Sequence, residues 1–346
     1  MRTRRAAAAA PALPAPAGAV ALGGCGSGDG TCATGAPDNP LPRRLAADVT
    51  GTGADSHLVA LQRIADENGG HRASPGPGYE ASVQYVAAVL RAAGYDVSTP
   101  AYPLAKRRRR GGGTHCQNVI AQTRTGDPAR VVMAGAHLDS VRQGPGINDN
   151  GSGVAALLEI ATRLGGAPLV RNAVRFAFWG SEEDDLQGST HYVKTLSRGQ
   201  RGNILLYLNL DMIASSNAGY FVLGGEGKTP AKSGPRGSAQ VACALVERLA
   251  ATGVVARTTT FDRESDYAAF IDAGIPAGGV WSGDRKNKSG KQARRWGGRP
   301  GEPFDPHYHT RRDRLDQLNR TALDRFTRAV AGTVAHFAVS IDGRPG

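Results

Sequence analysis

The sequence predicts a single α/β domain with a mixed, mostly parallel central β-sheet and helices on both faces. Three observations predict it. Short apolar runs alternate with helix-period stripes through most of the chain. Between Ala36 and Gly346 there is neither an internal repeat nor a low-complexity linker. A length of 346 residues, 40% of them hydrophobic, supplies a core for one large domain.

The elements follow in order. Ala54 to Glu67 reads as a helix with Leu58, Leu61 and Ile64 on one face, stopped by Asn68-Gly69-Gly70. The run Ser74-Pro75-Gly76-Pro77-Gly78 is a loop. Tyr79 to Ala93 is a second helix, with Val83, Val86 and Leu90 as its stripe and Gly94 as its stop. Tyr95 to Tyr102 reads as a strand, as do Asn118 to Thr123 and Arg130 to Ala136. Ser152 to Leu164 is a helix, Ala173 to Trp179 a strand, and Gln187 to Leu196 a helix. Ile204 to Leu210 and Tyr220 to Leu223 are apolar strands, and Ser238 to Ala251 is a helix. Ser265 to Ala273 is a short helix and Pro276 to Trp281 a strand. Thr321 to Ile341 closes the domain as a helix whose face carries Leu323, Phe326, Val330, Val334 and Phe337.

Charge and termini narrow the setting. The formal charge is +12, and its basic residues cluster in two expected loops, Lys106 to Arg110 and Arg285 to Arg299. No nucleic-acid-binding motif accompanies them, so they read as solvated surface and nucleic acid is excluded as a partner. Residues 1–35 are expected to be a leader, with Arg2, Arg4 and Arg5 before an Ala/Pro-rich stretch, and 36–346 the catalytic domain. The expectation is a secreted protein. The alternative, from Leu22-Gly23-Gly24-Cys25, is a lipid anchor through Cys25. No apolar run is long enough to span a membrane, and a monomer is expected. Cys116 and Cys243 are expected either to pair or to remain buried thiols; no Cys-x-x-Cys spacing suggests a zinc knuckle.

Chemistry concentrates where strands end. His137-Leu138-Asp139 follows one strand, Gly180-Ser181-Glu182-Glu183 the next and Asp211 a third. A fourth group, Ile147-Asn148-Asp149-Asn150, opens a helix. Each group alone has an ordinary structural reading, such as a helix cap for Asp149. Together they converge on one sheet edge, where α/β ligands bind. Adjacent carboxylates repel unless cations or protons hold them, and zinc accepts His nitrogen and carboxylate oxygen. His137, Asp149, Glu183 and Asp211 supply four ligands, and two zincs need one more His. Spacing leaves His307 and His309 as equal candidates.

These segments, His-Leu-Asp-Ser-Val (137–141), Gly-Ile-Asn-Asp-Asn-Gly-Ser-Gly (146–153), Trp-Gly-Ser-Glu-Glu (179–183) and Asn-Leu-Asp-Met (209–212), resemble metallopeptidase family 28. The resemblance runs from about Ala36 to His336 and includes Asn-Gly-Gly-His-Arg-Ala (68–73), Ser-Asp-Tyr (265–267) and Gly-Ile-Pro-Ala-Gly-Gly (274–279). It implies the zinc-dependent exopeptidase fold and a two-zinc aminopeptidase that removes N-terminal, uncharged apolar residues from peptides or proteins. His137 and Asp211 would complete one zinc site, Glu183 and His309 the other, and Asp149 would bridge them. Asp139 would orient His137, Glu182 would be the general base, and Tyr308 would donate to the developing oxyanion. Met212, Trp281 and Tyr308 would line the pocket for the first side chain. A glutaminyl cyclase on the same scaffold would use one zinc; the full set of two histidines and three acids favours hydrolysis. Three departures stand out. Glu264 replaces an Arg of relatives, which bears on substrate recognition. His307 and Arg312 replace a cysteine pair, so the loop bearing His309 is expected to be more mobile. Arg328 replaces one acid of a calcium site that Asp324 would share, which argues against calcium there.

Overall fold

The computed structural model describes residues 39–105, 114–224 and 230–340. Among these, ten strands form two sheets. They are β1 (Asp96–Ser98), β2 (Ala101–Pro103), β3 (His115–Gln117), β4 (Val119–Gln122), β5 (Asp127–His137), β6 (Asn172–Trp179), β7 (Ile204–Leu210), β8 (Phe221–Leu223), β9 (Arg257–Thr259) and β10 (Ala277–Trp281). The main sheet has the order β1-β4-β6-β5-β7-β10-β8-β9. Its centre, β6-β5-β7-β10, is parallel. The flanks are antiparallel: β4 runs against β6, and β8 against β10.

Alternation along the strands explains the two helical layers. In β5, Val132, Ala134 and Ala136 face one way, toward the helices Gly51–Glu67, Pro77–Ala92, Gly153–Leu164, Ser238–Ala251 and Arg320–Val339. Val131 and Met133 face the other, toward a smaller cluster with Val193, Phe270 and Ile271. A strand buried on both faces reads as a continuous apolar run, as β5 and β7 do. The closing helix buries Leu323, Phe326, Val330, Val334 and Phe337, as its stripe predicts. In the smaller layer Tyr207 and Phe270 stack at 3.8 Å and 1°, and the Trp179 indole donates to Tyr207 Oη at 2.9 Å.

Several expectations need correction. Tyr95 to Tyr102 is not one strand: β1 joins the main sheet, while β2 pairs with β3 in a separate ribbon. Pro100 lies between them and has no N–H to give to a ladder. Helices Leu41–Asp48, Arg198–Asn203 and Gly290–Trp296 and strand β9 were not anticipated. Two of these helices begin with a capping box, Ser197 with Gln200 and Ser289 with Gln292, which is a legible Ser-x-x-Gln signal. Arg285 to Arg299 is therefore not a plain solvated loop. Lys288 within it is 1% exposed, and its ammonium donates to the carbonyls of Ala218 (2.8 Å) and Gly297 (2.9 Å). Cys116 is a buried free thiol, and Cys243 is in a disulfide that does not involve it. Asp324 accepts from Gly51 N–H and pairs with Arg328 at 2.8 Å, so the acid in question is already engaged. The leader, Cys25 and the Lys106 to Arg110 segment lie outside the described residues.

Candidate metal centre

The carboxyl ends of β5, β6 and β7 deliver three groups side by side, because the parallel register ends all three strands on one edge. His137 is the last residue of β5. Asp211 follows β7 directly. Glu182 and Glu183 follow β6 after a turn through Gly180 and Ser181. Only glycine fits at 180, where a Cβ would lie 2.3 Å from Tyr79 Oη and 2.7 Å from Tyr102 Oη. Ser181 takes the left-handed region at φ 54, held by Tyr102 Oη (3.0 Å) and Ser74 Oγ (2.6 Å) on its hydroxyl. Met212 (φ 47) and His309 (φ 55) share that conformation, so three of the non-glycine residues with positive φ sit at or beside the expected ligands and base. Such backbone is costly and clusters at functional sites.

Asp149 occupies the centre, 5% exposed. Its Oδ1 lies 3.2 Å from His137 Nε2, and its Oδ2 lies 3.1 Å from His309 Nε2. On one side Asp211 Oδ1 is 3.5 Å from His137 Nε2; on the other, Glu183 Oε2 is 3.1 Å from His309 Nε2. The two oxygens of one carboxylate thus each face a His–acid pair. The donor atoms of His137, Asp149 and Glu183 lie within 4.8 Å of one another, as do those of His137, Glu182 and Asp211. The geometry sets His309, not His307, against these acids, which spacing alone left open.

Zinc suits these residues. Asp149 Oδ2, Glu183 Oε1, Asp211 Oδ1 and His309 Nε2 are buried and make no hydrogen bond. Buried polar atoms are nearly always satisfied. Asp149 Oδ2, Asp211 Oδ1 and His309 Nε2 approach their partners within ion-pair distance but off hydrogen-bond geometry, converging on a shared space. Nitrogen and carboxylate oxygen are the donors zinc accepts, so the set fits.

Electrostatics agrees. Burial, Asp266, Asp211 and Glu183 hold the Glu182 carboxyl well above the usual range, against the opposing pull of His137. Burial and Asp149 push Glu183 up to about 7. Burial likewise brings Asp266, 1% exposed, to about 7, against the opposing pull of His137 and the Ser189 hydroxyl. Burial disfavours charge on both histidines, but the surrounding acids outweigh it, taking His309 to about 10 and His137 well above its ordinary value. Burial also works against charge on Asp149, yet the two histidines outweigh it and hold its carboxyl below the usual range. A cluster of acids this dense needs cations or protons to hold it.

The remaining expected residues fall in place around this centre. Asp139 touches His137 Nδ1 through its carbonyl at 3.2 Å, with its carboxylate at 3.7 Å. That carboxylate also accepts the Glu182 N–H at 3.2 Å. Tyr308 stacks on His309 at 3.8 Å under the Arg285 guanidinium, and burial keeps its phenol protonated. Met212, Trp281, Tyr308 and Glu264 line one cleft of about 100 Å³ with Leu223 and Tyr267. Two residues gained no role from the sequence. Arg72, 0% exposed, donates to Leu138 O, Pro145 O (3.1 Å) and Gly146 O (2.7 Å), pinning the turn that follows His137. Burial lowers its pKa to about 10, with Asp139 and Asp313 opposing. Ser265 Oγ donates to Asp211 Oδ2 at 2.6 Å and so orients that carboxylate. Nothing in an isolated Arg or Ser marks it as a clamp.

Fold and site together define an α/β protein with a carboxylate- and histidine-lined candidate metal centre at the carboxyl edge of its sheet. Residues 118–334 match Peptidase family M28, and the chain belongs to that family. It is 41% identical over 286 residues to leupeptin-inactivating enzyme 1 of Streptomyces exfoliatus, covering 82% of this chain and 61% of that one. It is 52% identical over 235 residues to a Mycobacterium tuberculosis protein described as a "Probable lipoprotein aminopeptidase", covering 66% and 47%. The chain thus spans about half the length of the curated relatives it matches. The zinc aminopeptidase of Bacillus subtilis has the same fold, with a TM-score of 0.68 at 18% identity over 85% of this chain and 96% of that one.

Proposed function

We propose that the protein is a secreted aminopeptidase that uses two zinc ions to remove uncharged apolar residues from peptide N-termini. The observation that carries this reading is the central carboxylate of Asp149, whose two oxygens each face a separate His–acid pair. His137 and Asp211 would hold one ion, His309 and Glu183 the other, and Asp149 both. Bound zinc supplies a lowered water pKa and a polarised scissile carbonyl. The chain's residues do the rest. Glu182, beside the centre but outside the two ligand pairs, takes the proton of the attacking water and returns it to the leaving amine. Its raised pKa suits a group that must hold that proton in transit. Tyr308, kept as a phenol, donates where negative charge develops. Glu182 and Asp211 accept the free α-ammonium, which confines cleavage to the terminus. Met212, Trp281, Leu223 and Tyr267 surround the first side chain with apolar surface.

Residues 1–35 would direct export, with a lipid anchor through Cys25 as the alternative. One relative is described as a lipoprotein aminopeptidase. No helix among the described residues is long and apolar enough to cross a membrane. The test is hydrolysis of leucine p-nitroanilide with zinc, after chelation, and against the N-acetylated compound. Zinc-dependent cleavage of only the free-amine substrate is expected. Absence of cleavage by the folded, two-zinc protein would overturn the reading.

A further inference from the structure

The two ligand-bearing loops around Asp149 and His309 are joined by a bracket of buried carboxylates. Asp305 and Asp313 stand four residues before and four after His309, and each is 2% exposed. Asp313 Oδ1 accepts the Asn148 N–H at 2.6 Å, and its Oδ2 accepts the N–H of Asp149 itself at 2.9 Å. The Asp313 carbonyl accepts the Ile147 N–H at 3.2 Å. Asp305 Oδ2 accepts from Asn148 Nδ2 at 2.5 Å, and its Oδ1 accepts the His307 N–H at 2.8 Å. Asn148 then reaches a third loop, donating to Ser215 Oγ (3.1 Å) and accepting the Ala214 N–H (2.9 Å), just beyond Asp211. The loop carrying His309 also passes so close to the turn after His137 that a Cβ on Gly144 would lie 2.1 Å from Thr310 O.

Among the described residues neither carboxylate pairs with a lysine or arginine. Burial disfavours their charge, and Arg72, which Asp313 influences through space, forms no ion pair with it, so stability alone is a poor reason for two such groups here. Their geometry supplies another. Two successive backbone N–H groups need two acceptor oxygens on one side chain, and only a carboxylate offers both; an amide would aim its NH₂ at an N–H.

We propose that Asp313 and Asp305 are positioning residues that lock the loop of the bridging Asp149 to the loop of His309, fixing the spacing of the paired zinc site before metal arrives. The proposal rests on the two-zinc reading above, but its test reads metal binding directly. Zinc itself is the probe, titrated by competition with a chromogenic chelator against the full chain and its D313N, D305N and N148D/D305N variants. Leucine p-nitroanilide kinetics at saturating zinc and the melting temperature of the metal-free protein are measured alongside. D313N is expected to weaken zinc binding 10- to 100-fold and to lower kcat with KM little changed, while the metal-free protein keeps a cooperative transition. D305N sets an NH₂ against either Asn148 Nδ2 or the His307 N–H, so one of the two bonds is lost, and it weakens zinc binding in the same range. The N148D/D305N pair reverses the polarity of the Asn148–Asp305 bond and recovers at least half of the loss on a logarithmic scale. Zinc affinity within threefold of wild type in both single variants would overturn the proposal, as would a double variant no better than D305N. A wild-type chain that binds two zincs but leaves the free-amine substrate uncut would sink the aminopeptidase reading and leave this one standing.

Discussion

Replacing Glu182 by glutamine separates its chemistry from its structure, because the side chain keeps its shape and loses only its capacity to accept a proton. The backbone N–H of residue 182 still reaches Asp139 Oδ1, so the turn should hold. The five expected ligands are untouched, so zinc should remain. A positioned base is worth at least about 10²-fold, which is about 2.7 kcal/mol of barrier. Stability should move the other way. Burial, Asp266, Asp211 and Glu183 raise the carboxyl's folded pKa. An acid whose folded pKa is raised opposes folding once the pH exceeds its unfolded pKa, and that opposition is present at pH 7. Glutamine removes it, so the metal-free variant should melt no lower than wild type at pH 7. The assay is kcat on leucine p-nitroanilide, with zinc content and melting temperature measured on the same preparations. A rate within tenfold of wild type, with two zincs bound, would refute Glu182 as the base. A large drop in melting temperature would refute the account of its environment.

Three further outcomes follow from particular contacts. Gly180→Ala brings a Cβ to 2.3 Å from Tyr79 Oη; overpacking of this kind costs about 1–3 kcal/mol, and denaturant unfolding should show it together with weaker zinc binding through Glu183. Lys288 has its pKa pushed down to about 8 by burial. Below pH 8 it is charged in both states and the burial cost is fully present; between about 8 and 10.5 the unfolded chain binds the extra proton, so stability relative to Lys288→Met should rise with pH. A flat difference across that window would show that Lys288 is not desolvated. Chelation should abolish activity reversibly, and zinc at 1,000 times its Kd should raise the unfolding free energy by about 4 kcal/mol per independent site, read as a shift in the denaturant midpoint.

Much of this protein was legible in order along the chain. Apolar runs such as Ile204 to Leu210 fixed the central strands, since a strand buried on both faces leaves no other pattern. Once the strands were placed, the residues directly after them, His137, Glu182, Glu183 and Asp211, had to share an edge. The stripe of the closing helix was equally plain. Short elements were harder: β9 has three residues and little apolar signal, and Leu41–Asp48 lies among prolines. The capping boxes at Ser197 and Ser289 were readable yet mark helices too brief to show a stripe.

By itself, then, the sequence determined the sheet, its two helical layers and the kind of donor gathered at its edge, because periodicity and chain order are local properties. Tertiary structure decided which donors meet. Setting His309 against the acids, which spacing left open and only the family resemblance had favoured, aiming the two oxygens of Asp149 at separate partners, and closing the brackets of Arg72, Asp305 and Asp313 all depend on loops distant in sequence. Asn148 and Asp313 are separated by 165 positions yet are 2.6 Å apart from N–H to carboxylate. No local pattern encodes such a contact; it exists only because the parallel strands bring those loops to one edge, where buried polar groups must find one another.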